Sequence, residues 1–328
     1  MQHNAWALAV CTLFLVVGPS LMLVNKNVMD KEGVDFPYPF LVSSMGLVFT
    51  SFVTHALHLA GMLELPHAHL VTQGFFLRAV LPVGACHAAT LAFGNAQYLF
   101  MGMALIQFLK AFTPMVVTLF TLVLLKKRQS SQVWLALVVT CFGTSLTAVG
   151  DMKLNLLGLV LAACSSSTEA VRLVLTQYAL QDCRFTLLES QYFLAPAGAV
   201  CLLLVSWFFE REKLLASGDL AKLHDNPGTF LVCGSLGFGV QMLTSSVIKL
   251  TSSTTVKVLS QLRNALVVLS GVLLYGEVVS PLQLVGYVVS VIGITRYTAL
   301  QSEAGQGKNQ GPAYSRIPSA AEGSPDKA

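Results

Sequence analysis

Long apolar stretches separated by short polar ones make up most of the chain. An α-helix needs about 20 mostly apolar residues to cross the hydrocarbon core of a bilayer. By that measure the pattern predicts ten membrane-spanning helices. They cover roughly residues 5–25, 38–60, 76–98, 103–125, 131–149, 155–180, 185–209, 228–249, 253–275 and 280–300. The last residues, 301–328, are rich in Gly, Ser, Pro and Ala and are predicted to form a disordered cytosolic tail.

A weak internal repeat divides the ten predicted helices into two sets of five. Leu124-Leu125 recurs as Leu273-Leu274, with a matching gap before the next polar residues. Because five is an odd number, the second set enters the membrane upside down, and inverted repeats of this kind build transporters with a midplane binding site. The predicted fold is therefore an all-α membrane protein with two inverted five-helix repeats. The predicted transporter domain covers residues 1–300, with halves at 1–150 and 151–300.

Composition agrees with a polytopic membrane protein. Of 328 residues, 54% are hydrophobic and 11% are charged, and the mean hydropathy is +0.68. Soluble domains have about 25% charged residues. The formal net charge of +4 is too small to indicate nucleic-acid binding. The seven cysteines are scattered through apolar stretches without a CxxC motif, so we expect small core residues rather than disulfides or metal ligands. No metal and no cofactor are expected.

Lysine and arginine residues in the short loops predict the orientation of the chain. The clearest cluster is Lys126-Lys127-Arg128, between the fourth and fifth predicted helices. Placing it in the cytosol puts both termini there as well, because the number of predicted helices is even. The loops on the opposite side carry their cations beside acids, as in Asp30, Lys31 and Glu32.

The candidate chemistry begins with Lys110, near the middle of the fourth predicted helix and without an acid three or four positions away. A cation at the bilayer centre costs roughly 2.5–3.5 kcal/mol on insertion scales, so it needs a partner within the protein. Lys257 and Arg263 add two cations on the ninth predicted helix, which has no acid before Glu277. A phosphate suits these cations, because Arg binds it bidentately and Lys as a point charge. We therefore predict a small phosphorylated substrate at Lys110 and Arg263.

Other intramembrane charges have a structural interpretation. Glu169 and Arg172 stand three residues apart on one helix face and are predicted to neutralise each other. Glu189 lies close to a loop and is interpreted as structural. Lys257 lies near the cytosolic end of its helix, so its charge could equally reach the interface along its own alkyl stem.

Polar and aromatic residues would complete a site for a base or a sugar. The candidates that could supply hydrogen bonds or a stacking surface are Asn95, Tyr98, Gln191, Tyr192, Gln241 and Asn264. The alternative for each is hydrogen bonding between packed helices. The polar face formed by Ser51, Thr54, His55 and His58 is interpreted as a gate or as packing. No nucleophile–base or metal-site motif occurs, so an enzyme is not expected.

Together these residues resemble the triose-phosphate translocator and nucleotide-sugar transporter family, within the drug/metabolite transporter superfamily. The motifs that carry the resemblance are Asn25-Lys26, Phe36-Pro-Tyr-Pro39, Gly94-Asn95 with Tyr98, Leu109-Lys110-Ala111 with Pro114, Gly150-Asp151, Glu169-Ala-Val-Arg172, Tyr192 with Ala195-Pro196, Thr251-Ser252 and Gly286-Tyr287. The resemblance implies ten helices in two inverted halves and strict exchange of anionic substrates by alternating access. It also implies that a lysine on each of the fourth and ninth spans contacts the substrate phosphate.

Lys110 matches the first of these lysines, and Arg263 stands in place of the second. Asn264 follows, where plastid phosphate translocators have an arginine. Leu91 and Gly94 replace a substrate-site histidine and threonine, and Val240 replaces a tyrosine. These differences, and the short stretch before the first apolar run, favour the nucleotide-sugar branch over the plastid branch.

We therefore expect an antiporter of the Golgi or ER membrane that exchanges a cytosolic nucleotide sugar for a nucleoside monophosphate. A transporter of a sugar phosphate or another organic phosphate is the first alternative, which competition by nucleoside monophosphates would separate. The second is a membrane scaffold or regulator acting through the tail after Gln301, which truncation would inactivate. Membrane lipids are the other expected partner. The sequence is compatible with a homodimer and does not set the oligomeric state.

Overall fold

The structure is a computed structural model that describes residues 2–29, 33–101, 106, 109–147, 155–263 and 281–308. Within these ranges the chain is helical and contains no β-strand. We number the main helices α1 (Gln2–Met29), α2 (Pro39–Leu59), α3 (Gln73–Ala96), α4 (Thr113–Leu125), α5 (Ser131–Thr147), α6 (Leu156–Gln177), α7 (Leu187–Phe209), α8 (Pro227–Leu250), α9 (253–263) and α10 (Pro281–Lys308). Two short helices, Arg211–Ser217 and Leu220–Asp225, connect α7 to α8.

Six of these helices are long and apolar enough to cross a membrane, namely α1, α2, α3, α6, α7 and α8. Helices α4, α5 and α10 contain shorter apolar stretches, Thr113–Leu125, Ser131–Leu146 and Val285–Leu300. The all-helical membrane fold is thus confirmed for the part of the chain that the structure describes. Ten spans arranged as an inverted repeat remain a prediction.

Two boundaries differ from those predicted. Helix α4 begins at Thr113, ten residues after the predicted start at 103, because a turn at Ala111 and Phe112 interrupts the helix. Pro114 follows in the first turn of α4, where its missing N–H costs nothing. Helix α10 continues to Lys308, past residue 300, so the stretch predicted as a disordered tail begins as helix. Residues 309–328 lie outside the described residues.

Glu189 shows how one buried carboxylate organises a helix start. Thr186 and Glu189 form a capping box at the beginning of α7, in which each side chain accepts a hydrogen bond from the other residue's backbone N–H. Glu189 also accepts hydrogen bonds from the backbone N–H and the Nδ1 atom of His67, at 2.7 and 3.0 Å. The structural interpretation of Glu189 is therefore confirmed.

The helices pack in a small set of pairs. Helix α1 packs on α8, α2 on α7 and α8, α3 on α6 and α7, α4 on α6, and α5 on α10. Several pairs touch closely at glycines. For example, a Cβ added at Gly237 of α8 would lie 2.5 Å from the Cα of Gly46 on α2. A Cβ added at Gly84 of α3 would lie 2.6 Å from the carbonyl oxygen of Ala197, next to Gly198 on α7. Small residues let membrane helices approach closely and gain packing contacts.

Contacts between loops sort them onto two faces of the bundle. On one face Lys127, after α4, pairs with Asp182, after α6, at 2.9 Å. On the other face Lys222 pairs with Asp35 at 3.0 Å, and the Tyr38 hydroxyl donates to Asp219 at 2.6 Å. Helix α2 connects these faces. It starts just after Tyr38 and leads to the loop of His67, and His67 contacts Glu189 at the start of α7, close in sequence to Asp182. The Lys126-Lys127-Arg128 cluster thus lies opposite the connection between α7 and α8.

Candidate functional site

A group of charged side chains connects α4, α6 and α9. Lys257 of α9 donates a hydrogen bond to Glu169 of α6 and forms an ion pair with it. Glu169 also lies within electrostatic reach of Lys110 and Arg172, and Lys257 lies within reach of Arg263. This cation cluster, as we call these five residues, contains four cations and one carboxylate. Its positive excess is three charges, counted over the cluster's own residues.

Lys110 lies at the interruption that precedes α4. Residues 109 and 110 are helical, the next two form a turn, and the Lys110 side chain is exposed. The Nε2 atom of Gln261 on α9 donates a 2.7 Å hydrogen bond to the carbonyl oxygen of Ala111 within this turn. At a rise of about 1.5 Å per residue, Lys110 stands roughly 22 Å from the far end of α4, which is less than the thickness of about 30 Å of the hydrocarbon core. An interrupted helix lining a site is a common arrangement in secondary transporters.

Arg263 approaches the same region from the last described turn of α9. Its guanidinium lies against α1, where a Cβ added at Gly18 would be 2.7 Å from one terminal nitrogen. Thr254 of α9 and Thr118 of α4 form a buried hydrogen bond at 3.1 Å, which joins these two helices closer to the Lys127 face. Asn264, predicted as a neighbouring site residue, lies outside the described residues.

Arg172 lies on a second polar region, one turn of α6 beyond Glu169. A cavity of ≈ 30 Å³ is lined by residues of α2, α3, α6, α7 and α8, including Arg172, His87 and the predicted residue Gln241. Gln191, also a candidate from the sequence, lines it too and donates through Nε2 to the Ser245 hydroxyl at 2.7 Å. Two of the polar candidates, Gln191 of α7 and Gln241 of α8, therefore share this cavity with Arg172.

The remaining predicted residues are placed elsewhere. The Tyr192 ring stacks on His55 at a centroid distance of 4.2 Å and meets the edge of His58 at 5.2 Å. These contacts agree with packing by the polar face of α2. Asn95 is exposed near the end of α3, and Tyr98 lies in the following turn, with its side chain outside what the structure describes.

The predicted pairing of Glu169 with Arg172 is an electrostatic contact, and the hydrogen bond of Glu169 goes to another residue. Glu169 was expected to pair with Arg172 one turn away, but its hydrogen-bonded partner is Lys257 on another helix. A long lysine side chain reaches across the helix contact, and sequence spacing does not reveal that contact. Gln261 lies four residues after Lys257 and so on the same helix face, but the spacing does not reveal its hydrogen bond to Ala111. Within the described part of the chain, no group of three or more His, Cys, Asp or Glu residues could hold a metal ion.

Comparison with known proteins gives the chain its family. The model of the Triose-phosphate Transporter family matches residues 6–298. This range runs from the first turns of α1 to residue 298 in α10. The chain belongs to this family. The resemblance expected from the motifs is thereby confirmed, and the protein is a multi-pass membrane protein from a family of transporters rather than enzymes.

Family members from Arabidopsis thaliana align over most of the chain. One named as a probable sugar phosphate/phosphate translocator is 26% identical over 90% of this chain and 87% of its own. A second of the same description is 26% identical over 88% and 78%. A GDP-mannose transporter is 22% identical over 85% and 81%. One protein of known crystal structure shares the fold, with a TM-score of 0.65 at 15% identity, over 92% of this chain and 99% of that one.

Proposed function

We propose that this protein is a secondary-active antiporter of phosphorylated metabolites that exchanges a nucleotide sugar for a nucleoside monophosphate. The observation that carries the proposal is the positive excess of the cation cluster. The Lys257–Glu169 pair accounts for one cation and the only carboxylate of the cluster, which leaves the Arg172 and Arg263 guanidinium groups without a carboxylate within the cluster. Cations inside a membrane bundle require compensation, and an anionic substrate supplies it.

The geometry suits a phosphate more than a neutral solute. Lys110 and Arg263 come from neighbouring segments, which the Gln261–Ala111 and Thr118–Thr254 hydrogen bonds join, and the proposal has them contact the same phosphorylated substrate. Arg offers a planar fork for two phosphate oxygens, and Lys offers a compact charge for a third. The names of the relatives support a phosphorylated substrate. Asn95, Tyr98, Tyr192, Gln241 and Asn264 remain proposed contacts for the rest of the substrate.

Alternating access between two inverted halves is supported by the pattern of helix pairs. In such a repeat, each of α1–α5 corresponds to the helix numbered five higher. A contact between two helices should then recur between their counterparts: α1–α8 corresponds to α6–α3, and α2–α8 corresponds to α7–α3. The pairs α2–α7 and α5–α10 turn into themselves, and all of these pairs are in contact. The close contacts follow the same rule: Gly143 of α5 meets Ser290 of α10, and Gly293 of α10 meets Thr140 of α5. These pairs support the proposed ten-span repeat with halves 1–150 and 151–300.

The Golgi or ER membrane is the proposed location, with both termini in the cytosol. The support for the orientation is the Lys126-Lys127-Arg128 cluster, which shares a face with Asp182 and lies opposite the acidic and basic residues around Asp219. The GDP-mannose transporter among the relatives is the support for the nucleotide-sugar branch.

A second candidate function is exchange of a sugar phosphate for inorganic phosphate. The relatives named as probable sugar phosphate/phosphate translocators, at 26% identity, favour it. Both functions use the same cations to bind phosphate. They differ in whether the substrate also contains a nucleoside. Nucleoside monophosphates should block uptake in proteoliposomes if the first is correct. Inhibition by sugar phosphates and phosphate, with none by nucleoside monophosphates, would favour the second.

The test of the shared mechanism is Lys110→Ala in proteoliposomes loaded with a panel of nucleoside monophosphates and sugar phosphates. A charge-assisted hydrogen bond contributes about 1.5–3 kcal/mol, so we expect exchange to fall by about 10- to 100-fold. The matched control is Lys126→Ala, an exposed loop lysine that should leave exchange unchanged. Normal exchange by a correctly inserted Lys110→Ala protein would refute the proposal.

A further inference from the structure

The cavity beside Arg172 contains an unusual combination of charge and small size. Its walls come from five helices, and they carry the Arg172 guanidinium and the His87 ring. The Nε atom of Arg172 is buried and has no hydrogen-bond partner among the described residues. A buried donor left in this state costs about 1–3 kcal/mol, and more when it belongs to a charged group. Such a group normally has an acceptor close by.

Among the described residues, no carboxylate forms a hydrogen bond with Arg172. Glu169, the acid within electrostatic reach of Arg172, hydrogen-bonds to Lys257. None of the residues that line the cavity is an acid: they are Leu47, Val83, Gly84, His87, Arg172, Thr176, Gln191, Leu194, Ala195, Gly198, Gln241, Thr244, Ser245 and Ile248. Thr176 and Thr244 donate their hydroxyl protons to backbone carbonyls of their own helices. The Ser245 hydroxyl accepts from Gln191, so its own proton remains for another acceptor.

The size of the cavity restricts the acceptor. One water molecule needs roughly 10–15 Å³ of such volume. The cavity measures ≈ 30 Å³, which is room for about two waters or one monatomic anion. A whole nucleotide sugar is far larger than this space, and a monatomic anion is the smallest acceptor that also carries a negative charge. The positive charge favours an anion over water alone.

We propose that this cavity binds a chloride ion, held by the Arg172 guanidinium and the Ser245 hydroxyl. The ion would contact side chains of α6 and α8, within walls that also include α2, α3 and α7. It therefore stabilises this arrangement of the helices. The site differs from the predicted phosphate contacts at Lys110 and Arg263, and it does not depend on which metabolite is transported.

The test is the thermal unfolding of purified protein in detergent, in sodium chloride against sodium gluconate at constant ionic strength. Ligand bound only to the folded state raises the midpoint in a saturable way. We expect a rise of a few degrees with chloride and with bromide, and no rise in Arg172→Gln. The matched control is Arg78→Gln, which removes an exposed arginine from α3 and should keep the halide response.

Three results would overturn the proposal. They are no halide effect on the wild-type protein, an equal effect on Arg172→Gln, and an Arg172-dependent effect of phosphate without one of halides. The last result would make the cavity part of the substrate site. If Arg172→Gln fails to fold, Ser245→Ala takes its place, and we expect it to raise the chloride concentration for half-maximal effect at least fivefold. An unchanged concentration in that variant would also contradict the site.

Discussion

Glu169 and Lys257 pair within the helix bundle, where less than a quarter of either side chain is exposed, at 24% and 17%. Removing one member of such a pair leaves the other charge uncompensated, which costs about 3–5 kcal/mol. Glu169→Gln should therefore destabilise the protein strongly. Replacing both residues, as in Glu169→Gln with Lys257→Met, should cost less than the single change. The measurement is the thermal unfolding midpoint of the two single variants and the double variant in the same detergent.

Losses that simply add in the double variant would contradict this pairing, because they would mean that the two residues do not interact. Arg78→Gln again provides a control for the loss of a charge outside the bundle interior.

Asp219 and Lys222 form a second charged pair, outside the membrane-spanning helices. The hydrogen bond from Tyr38, and then that from Lys222, hold the pKa of Asp219 well below its usual range. Hydrogen bonds to Asp219 and Asp35 raise the pKa of Lys222. The stability from Asp219 is present above its unfolded pKa of about 3.9 and is lost as pH falls through the lower folded value. That from Lys222 is present below about pH 10.4 and is lost as pH rises through the higher folded value.

Both contributions are therefore complete between about pH 5 and pH 9. We expect Asp219→Asn to lower the unfolding midpoint relative to wild type by the same amount at pH 5.5 and pH 8, around the physiological range. A difference between variant and wild type that shrinks markedly on moving from pH 8 to pH 5.5 would show that Asp219 titrates there, against its lowered pKa.

The sequence predicts a site residue when the signal lies among its sequence neighbours, and it does not predict contacts between distant helices. Lys110 and Arg263 stand out because no acid is near them in sequence. In the structure Lys110 lies within electrostatic reach of Glu169, and Arg263 lies within reach of Lys257. The choice of Lys257 as the partner of Glu169 depends on how α6 and α9 pack, and that contact joins residues 88 positions apart. The hydrogen bond from Gln261 to Ala111 likewise joins residues that are far apart in sequence.

At the scale of helices, close packing at glycines gives a clear prediction. Gly237→Ala places a methyl group 2.5 Å from the Cα of Gly46, and backbone cannot move aside as a flexible side chain can. Overpacking of this kind costs about 1–3 kcal/mol. We expect Gly237→Ala to lower the unfolding midpoint by separating α2 from α8. Gly239→Ala on the same helix is the control, since its nearest neighbour is the Val17 side chain at 3.8 Å.

Equal stability of these two alanine variants would contradict the close approach of α2 and α8. Gly239→Ala should be neutral or slightly stabilising, because alanine restricts the unfolded chain more than glycine does.

Helix positions followed well from the length of the apolar stretches, because a bilayer of fixed thickness sets that length. The link between α8 and α9 is an example: the two predicted helices nearly merge, and the structure leaves only residues 251–252 between them. The interruption before α4 could not be predicted. Most residues around it are apolar, and Pro114 is also acceptable in the first turn of a helix. The hydrogen bond that satisfies the turn comes from a distant part of the chain.

For the whole molecule, the loop contacts predict which residues share a side of the membrane. Arg128 and Glu212 are both exposed, and they lie on opposite faces of the bundle. We expect Arg128→Cys to react with a membrane-impermeant maleimide in sealed, cytosol-side-out vesicles, and Glu212→Cys to react only after permeabilisation. The unsubstituted protein measures the background from its seven native cysteines. Labelling of both variants from the same side would contradict the arrangement of the faces.

Where Gly46 meets Gly237, and where Gly84 meets Ala197 and Gly198, main chain touches main chain with no side chain between them. Elsewhere a helix can roll over its neighbour only by lifting ridges of side chains out of grooves. At these two glycine contacts no side chains interlock, so we infer that the helices pivot about them. The ends of α2, α3, α7 and α8 would swing while the crossings stay in place. A covalent tether across a crossing would then spare the swing, and a tether at the helix ends would stop it.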